Sequence, residues 1–345
     1  LFGLQRLTMR NVLQFIRHAR DVAGLRRATR DIDALTDNLI VMGAGAETLT
    51  QTITALNDAL TQKLFALLLP RFDLEDLDWC WLSVGSEGRR EQTVATDQDN
   101  ALVFLGATGA SAAIRERLLG FARAANEGLA ALDFPLCPGN IMAGNPEYCL
   151  DTVEWREKFA GWIREPTPQA LLGANIFFDF RPLAGKAELA ESLRAWLGNV
   201  ASENKLFLRM LVANAMQAEP PLGVIRKFRT DDGEHAGTLD LKAQGTRIFV
   251  DAARAFALAL GVAETNTSQR LRLAGRRLNI DERQMASVVE AYHFLQMLRL
   301  RAQRGELDPE PAGPPGGDRA RSHTALNRVD PYALNDLDQR MLKES

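Results

Sequence analysis

The chain is 345 residues long, beyond the 100–200 residues that one ordinary core organises, so two or three packed units are expected. Apolar residues make up 46% and charged residues 25%, a balance that excludes general disorder. The net charge of −3, from 41 basic against 44 acidic residues, disfavours sequence-independent nucleic-acid binding.

The first 70 or so residues read as helix. Val12, Phe15, Ile16 and Ala19 recur with the spacing that places apolar groups on one helical face, as do Leu49, Ile53, Leu56, Leu60, Leu64 and Leu67. Gly43-Ala44-Gly45 breaks the run. Arg6, Arg10, Arg17, Arg20, Arg26, Arg27 and Arg30 stand against Asp21 alone, which reads either as a solvated helix face or as a docking surface for an acidic partner. Pro70 ends the helical region, and Trp79 to Val84 then reads as a buried strand. Asn100 to Leu105 is a second strand, and Ser111 to about Ala131 a helix. Phe134 to Asn145 is loop, Thr152 to Arg164 helix, and Asn175 to Arg181 a third strand. Helical periodicity dominates from Glu188 to Arg304. Pro309 to Gly317 is a Pro/Gly-rich flexible loop, and Asp330-Pro331 reads as the start of a last helix with Tyr332, Leu334, Leu337 and Met341 on its apolar face. The pattern predicts an α+β chain: a helical region over 1–72, a small mixed-sheet unit over 73–187, and a helical region over 188–345.

Cysteine and histidine narrow the chemistry. Cys80, Cys137 and Cys149 have no C-x-x-C spacing, so a disulfide scaffold or a zinc ribbon is not expected. His18, His235, His293 and His323 are isolated, which argues against a His-built metallohydrolase. No stretch of ~20 uncharged apolar residues exists; the best candidate, Phe249 to Val262, is broken by Asp251 and Arg254. The opening Leu1-Phe2-Gly3-Leu4 has neither an initiator Met nor a signal-peptide pattern, which reads as a cytoplasmic protein and as part of a longer chain.

The segment from Val84 to Asn100 carries the chemistry. A strand ends in Gly85-Ser86, where glycine lets backbone approach a ligand, and a short helix begins there with free N–H groups suited to an anion. Asp97-x-Asp99 then precedes the next strand, and side chains two apart on a strand point the same way, so both carboxylates converge. Carboxylates beside a phosphate-shaped turn suit a divalent metal and a nucleoside triphosphate, since Mg²⁺ takes one or two carboxylates plus phosphate oxygens.

Gly85-Ser86-x-Gly88-Arg89-x-Glu91 followed by Asp97-x-Asp99 resembles the signature of the polymerase-beta-type nucleotidyltransferase superfamily. The longer string GSEGRREQTVATDQDNAL is similar to the nucleotidyltransferase family that accompanies CBS and cyclic-nucleotide-binding domains in bacterial signalling proteins, relatives of the uridylyltransferase that modifies the PII protein. Phe134 to Ala143, Ile176 to Pro182, Leu239-Asp240-Leu241-Lys242 and Thr265-Asn266-Thr267 extend the likeness. The resemblance implies a Mg²⁺- or Mn²⁺-dependent transfer of a nucleoside monophosphate to a hydroxyl, by analogy a protein tyrosine, with CBS or cyclic-nucleotide-binding domains upstream. It implies that Gly85, Ser86 and Arg89 hold the phosphates, that Asp97 and Asp99 hold metal, and that Glu91 braces the turn. A third carboxylate is implied, and Asp179 is the candidate: alternation on the expected strand turns it from the core face, where it either binds metal or pairs with Arg181. Lys205 and Lys242 either reach triphosphate or are simply exposed. The alternative from another class is a nucleotide-sensing module that binds a triphosphate without transfer.

Overall fold

The computed structural model describes residues 7–106, 111–218, 220–223, 227–307 and 325–345, so the Pro309–Gly317 loop lies outside the described residues. The chain forms two compact units, one of Leu1–Ala44, Thr48–Gln92 and Thr96–Val200, the other of Gly45–Glu47, Thr93–Ala95 and Ala201–Ser345. The fold is α+β, with a small mixed sheet among helices. No helix among the described residues is long and apolar enough to cross a membrane.

The first unit opens with α1 (Met9–His18) and α2 (Val22–Val41), each started by a side chain that satisfies an orphan N–H: Thr8 accepts from Asn11, and Asp21 from Gly24. Arg10 and Arg17 of α1, Arg20 in the link, and Arg26, Arg27 and Arg30 of α2 are all exposed. Gly43, at φ +77°, makes the break before α3 (Ala46–Leu68). Strands β1 (Trp79–Ser83) and β2 (Asn100–Phe104) pair antiparallel and are buried along their whole length. A four-residue helix, α4 (Gly85–Gly88), lies between them, and α5 (Ser111–Ala130) follows. The sheet is completed by β3 (Cys149–Asp151), parallel to β2, and β4 (Arg181–Gly185), antiparallel to β1, in the order β3-β2-β1-β4.

Alternation along the central strands sends Trp79, Trp81, Leu102 and Phe104 into one core with Leu60, Leu64 and Phe65 of α3 and Leu118 and Phe121 of α5. Val12, Ile16, Leu25 and Ile32 join the same core, so the N-terminal helices and the sheet, read from sequence as separate regions, pack as one body. Helix α6 (Thr152–Arg164) docks through Trp155, whose indole N–H donates to the Leu102 carbonyl at 3.0 Å. Its capping box, Asp151 with Glu154, fixes its start. Trp155, Phe159 and Phe180 then form an aromatic cluster with α7 (Pro168–Phe177). Helix α8 (Ala187–Glu203) follows β4.

One correction concerns Asn175 to Arg181, expected as a strand. The structure makes Asn175 to Phe177 the end of α7 and the next three residues a turn, and β4 begins only at Arg181. Thr167 caps α7 by accepting from Ala170 N–H at 3.2 Å, with Pro168 at the first helical position. Proline suits that first position because its missing N–H would have no helical partner there.

The second unit is helical: α9 (Lys205–Ala215), α10 (Arg247–Leu260), α11 (Thr267–Arg277), α12 (Glu282–Gln303) and α13 (Asp336–Glu344), with a two-stranded pair β5 (Leu239–Asp240) and β6 (Arg328–Val329). Phe228, Leu239, Leu295, Leu298, Val329 and Leu342 make its main core. Arg254, 1% exposed, is held by Asp251 at 2.7 Å on the same helix. The last helix starts later than Asp330-Pro331 suggests. Asp330 spends its carboxylate on the Tyr332 N–H, and Asn335 is the residue that caps α13. Leu334 and Leu342 are buried there, whereas Tyr332, Leu337 and Met341 are exposed.

Candidate active site

The site is built where β1 ends. The Val84 N–H donates to the Asp99 carbonyl at 3.1 Å, prolonging the strand pairing beyond β1 and β2. Gly85 then takes φ +57°, and a Cβ there would lie 3.0 Å from Asp99 Oδ2. Glycine is thus required twice, by conformation and by the carboxylate pressed against it. At Gly88 a Cβ would stand 2.0 Å from the Asp179 carbonyl oxygen and 2.8 Å from that of Ser83, so only glycine lets α4 close onto its surroundings. The backbone N–H groups of Ser86 and Glu87 donate to no other group among the described residues, and Ser86 is partly exposed.

Asp97 and Asp99 lie in the loop before β2, not on the strand. Their carboxylates still converge, because Gln98 and Asn100 between and after them are pulled inward. Gln98 Nε2 donates to the carbonyls of Asn126 (3.0 Å) and Phe134 (2.8 Å), and Asn126 Nδ2 donates to Gln98 Oε1 (2.8 Å) and Asn100 Oδ1 (3.0 Å). With the even positions held in this buried amide lattice, the odd ones turn out. Asp97, Asp99 and Cys137 bring ligand atoms that all lie within 4.8 Å of one another. Burial and the neighbouring Asp99 push the Cys137 thiol up to about 11. The donor set therefore fits a divalent cation: two carboxylates, with a backbone cradle at Gly85 that any Cβ would crowd.

Asp179 sits in the turn between α7 and β4, fully buried, and is not a member of that ligand group. Its carboxylate accepts from Arg89 Nη1 at 2.8 Å, and Arg89 Nε donates to Glu91 at 2.8 Å. Arg89 is thereby held between two carboxylates, with a side chain 13% exposed. Arg181, the alternative partner for Asp179, instead grips Asp58 of α3 at 2.6 Å and the Glu87 carbonyl at 3.0 Å, tying α4 to α3. Lys205 and Lys242 belong to the second unit.

Three contributors escape sequence reasoning: Glu87, the Asp58–Arg181 pair and Cys137. The string Phe134–Ala143 that carries the family likeness contains Cys137, and this is the one signal that pointed to it. Glu87 accepts from the Ser83 hydroxyl at 2.7 Å and lines a small cavity with Thr61, Gln92, Asp97 and Gln98. Burial pushes its carboxyl up to about 7, outweighing the nearby Arg181. A glutamate in the unfolded chain ionises near 4.5, so over that window the folded state binds more proton and loses stability as pH rises. Glu87→Gln, which has no carboxyl to ionise, is expected to flatten the fall in melting temperature between about pH 5 and pH 8. An unchanged slope in thermal melts of that variant would show that another group sets it.

Residues 30–169 match the family model described as "Putative nucleotidyltransferase DUF294". Residues 205–345 match its companion, "Putative nucleotidyltransferase substrate binding domain". These two matches span most of the chain and support its membership of that nucleotidyltransferase family. No curated protein matches the sequence.

Proposed function

We propose that the first unit transfers a nucleoside monophosphate from a nucleoside triphosphate to an acceptor hydroxyl. The acceptor oxygen attacks the α-phosphorus, the bond to the β-phosphate oxygen breaks, pyrophosphate leaves, and the hydroxyl proton passes to solvent. The observation that carries this reading is the convergence of the Asp97 and Asp99 carboxylates against the Gly85 backbone. Asp97 and Asp99 would hold Mg²⁺ or Mn²⁺, which when bound supplies charge neutralisation at the phosphates. Ser86, with the N–H groups of Ser86 and Glu87, takes the triphosphate end; backbone N–H groups of this kind form anion-binding nests.

Arg89 and Asp179, for which the resemblance implies phosphate and metal binding, take a positioning role in this reading. Their ion pair holds α4 against the turn before β4, so that the glycine-serine segment keeps its shape. The acceptor is a protein hydroxyl in this reading, and the setting a cytoplasmic bacterial signalling protein with CBS or cyclic-nucleotide-binding domains, related to the PII uridylyltransferase. Incubation of the chain with each α-labelled triphosphate, Mg²⁺ and a cell lysate tests the proposal. Label from one nucleotide on a macromolecule, with matching pyrophosphate release, is the expected outcome. Triphosphate binding with neither label nor pyrophosphate would leave a sensor instead of an enzyme.

A further inference from the structure

We propose that Tyr148 is a specificity-determining residue of the nucleotide site, its hydroxyl donating a hydrogen bond to the nucleoside half of the bound triphosphate. This assignment rests on the proposed function and adds a contact for the part of the ligand that the glycine-serine turn and the carboxylate pair do not hold.

Sheet register puts Tyr148 at the site. In the order β3-β2-β1-β4, β2 is flanked by β1 on one side and by β3 on the other. Strands β2 and β3 run parallel with Leu102 opposite Cys149, so the residues just before each strand emerge at one edge of the sheet. Those residues are Asp97 and Asp99 before β2 and Tyr148 before β3, and one strand spacing, about 4.8 Å, separates the two chains. Alternation then fixes the face. Gln98 and Asn100 turn toward α5, and Leu102 and Cys149 lie in the core on that side. Asp97, Asp99 and Tyr148 are each one position out of step with that set, so all three turn to the other face. There the Tyr148 ring meets Phe177 of α7, with ring centroids 4.8 Å apart.

The same topology orders a ligand laid across this edge. Gly85-Ser86 follows β1, so the triphosphate end takes the β1 flank of Asp97 and Asp99. The nucleoside is left the β3 flank, where Tyr148 stands. Its ring is held by Phe177 and by the Lys158 ammonium, which lies 5.0 Å from the ring centroid and donates to the Glu147 carbonyl at 3.0 Å. A buried phenol usually finds a hydrogen-bond partner. Tyr148 is half-buried, yet its hydroxyl bonds to no other group among the described residues. Burial first, then Glu147 and the Cys137 thiol, hold this phenol above its usual range, so it stays protonated and donates. A site that hydrogen-bonds a substrate group discriminates against analogues lacking it, which makes one oriented hydroxyl a means of selection.

Tyr148→Phe keeps the ring, the Phe177 contact and the cation near it, and removes only the hydroxyl. Calorimetric titration in Mn²⁺ with non-hydrolysable analogues of ATP, GTP, CTP and UTP identifies the nucleotide the parent binds most tightly. Tyr148→Phe should weaken that nucleotide about fivefold, the effect of one neutral hydrogen bond. Inorganic tripolyphosphate, which has no nucleoside, should bind parent and variant equally. The 2′-deoxy analogue locates the bond: a loss that disappears with it places the acceptor on the sugar, and a loss that persists places it on the base. Unchanged nucleotide affinity in Tyr148→Phe, or an equal loss for tripolyphosphate, would overturn the proposal. Transfer is not measured, so a chain that binds nucleotide without transferring it tests Tyr148 equally well. A parent that binds no nucleotide overturns the proposed function together with this assignment, whereas unchanged affinity in the variant overturns this assignment alone.

Discussion

Asp97→Asn and Asp99→Asn are each expected to lower nucleotide transfer by a hundredfold or more while leaving the chain folded. Each substitution removes one negative charge from the pair that would hold the divalent cation. Charge stabilisation by such an ion is worth several kcal/mol in the transition state, and each 1.36 kcal/mol is a factor of ten in rate, so a loss on the order of 10²–10³ follows. Neither residue fills the core: both are half-buried, in a loop whose inward anchors are Gln98 and Asn100. Melting temperature should therefore change little, and at Asp99 the Gly85 backbone keeps its neighbour because asparagine is close to the same size. Transfer measured by pyrophosphate release, alongside a thermal melt, decides the matter. Parent-level turnover in either variant would remove the carboxylate pair from the mechanism.

The second large effect is on stability. Arg89→Ala should destabilise the first unit by about 3–5 kcal/mol, the usual cost of breaking a buried ion pair. Both of its carboxylate partners are buried, Asp179 at 0% and Glu91 at 3% exposure. Asp179→Asn should cost less, because Arg89 keeps Glu91 and the amide oxygen still accepts a hydrogen bond. Chemical denaturation of the two single variants and the double variant gives the coupling between Arg89 and Asp179 directly. The same series discriminates between positioning and metal binding. A metal ligand in the Asp179 place would leave stability untouched in Asp179→Asn and eliminate transfer. A brace would give a coupling of at least about 1 kcal/mol, and transfer would fall only as far as the shape of the Gly85–Gly88 turn is lost. Arg89→Ala with parent stability would refute the brace.

What could be read from sequence alone was local. Strands β1 and β2, helices α5 and α6 and the Gly85-Ser86 turn announce themselves through short-range periodicity, Gly placement and capping side chains. The closeness of Asp97 to Asp99 was legible as well, although for a different reason than the one that holds. Alternation was the right pattern, but it is enforced in a loop by the inward amides of Gln98, Asn100 and Asn126, not by strand geometry. The aromatic run Ile176 to Phe180 was misread because a short apolar stretch buries equally well as helix or strand, and here the packing of Phe177 and Phe180 on Trp155 and Phe159 decides. The partners of the charged residues were beyond reach for the same physical reason. Arg89 finds Asp179 across 90 positions, Arg181 finds Asp58 across 123, and Cys137 reaches Asp97 and Asp99 through a loop. Sequence periodicity determines which face of an element is apolar, because that is set within a turn or two of chain. Which charge meets which, and which thiol stands over which carboxylate, is decided only when distant segments close on a shared core, since that closure brings the groups out of water together and makes each pairing obligatory.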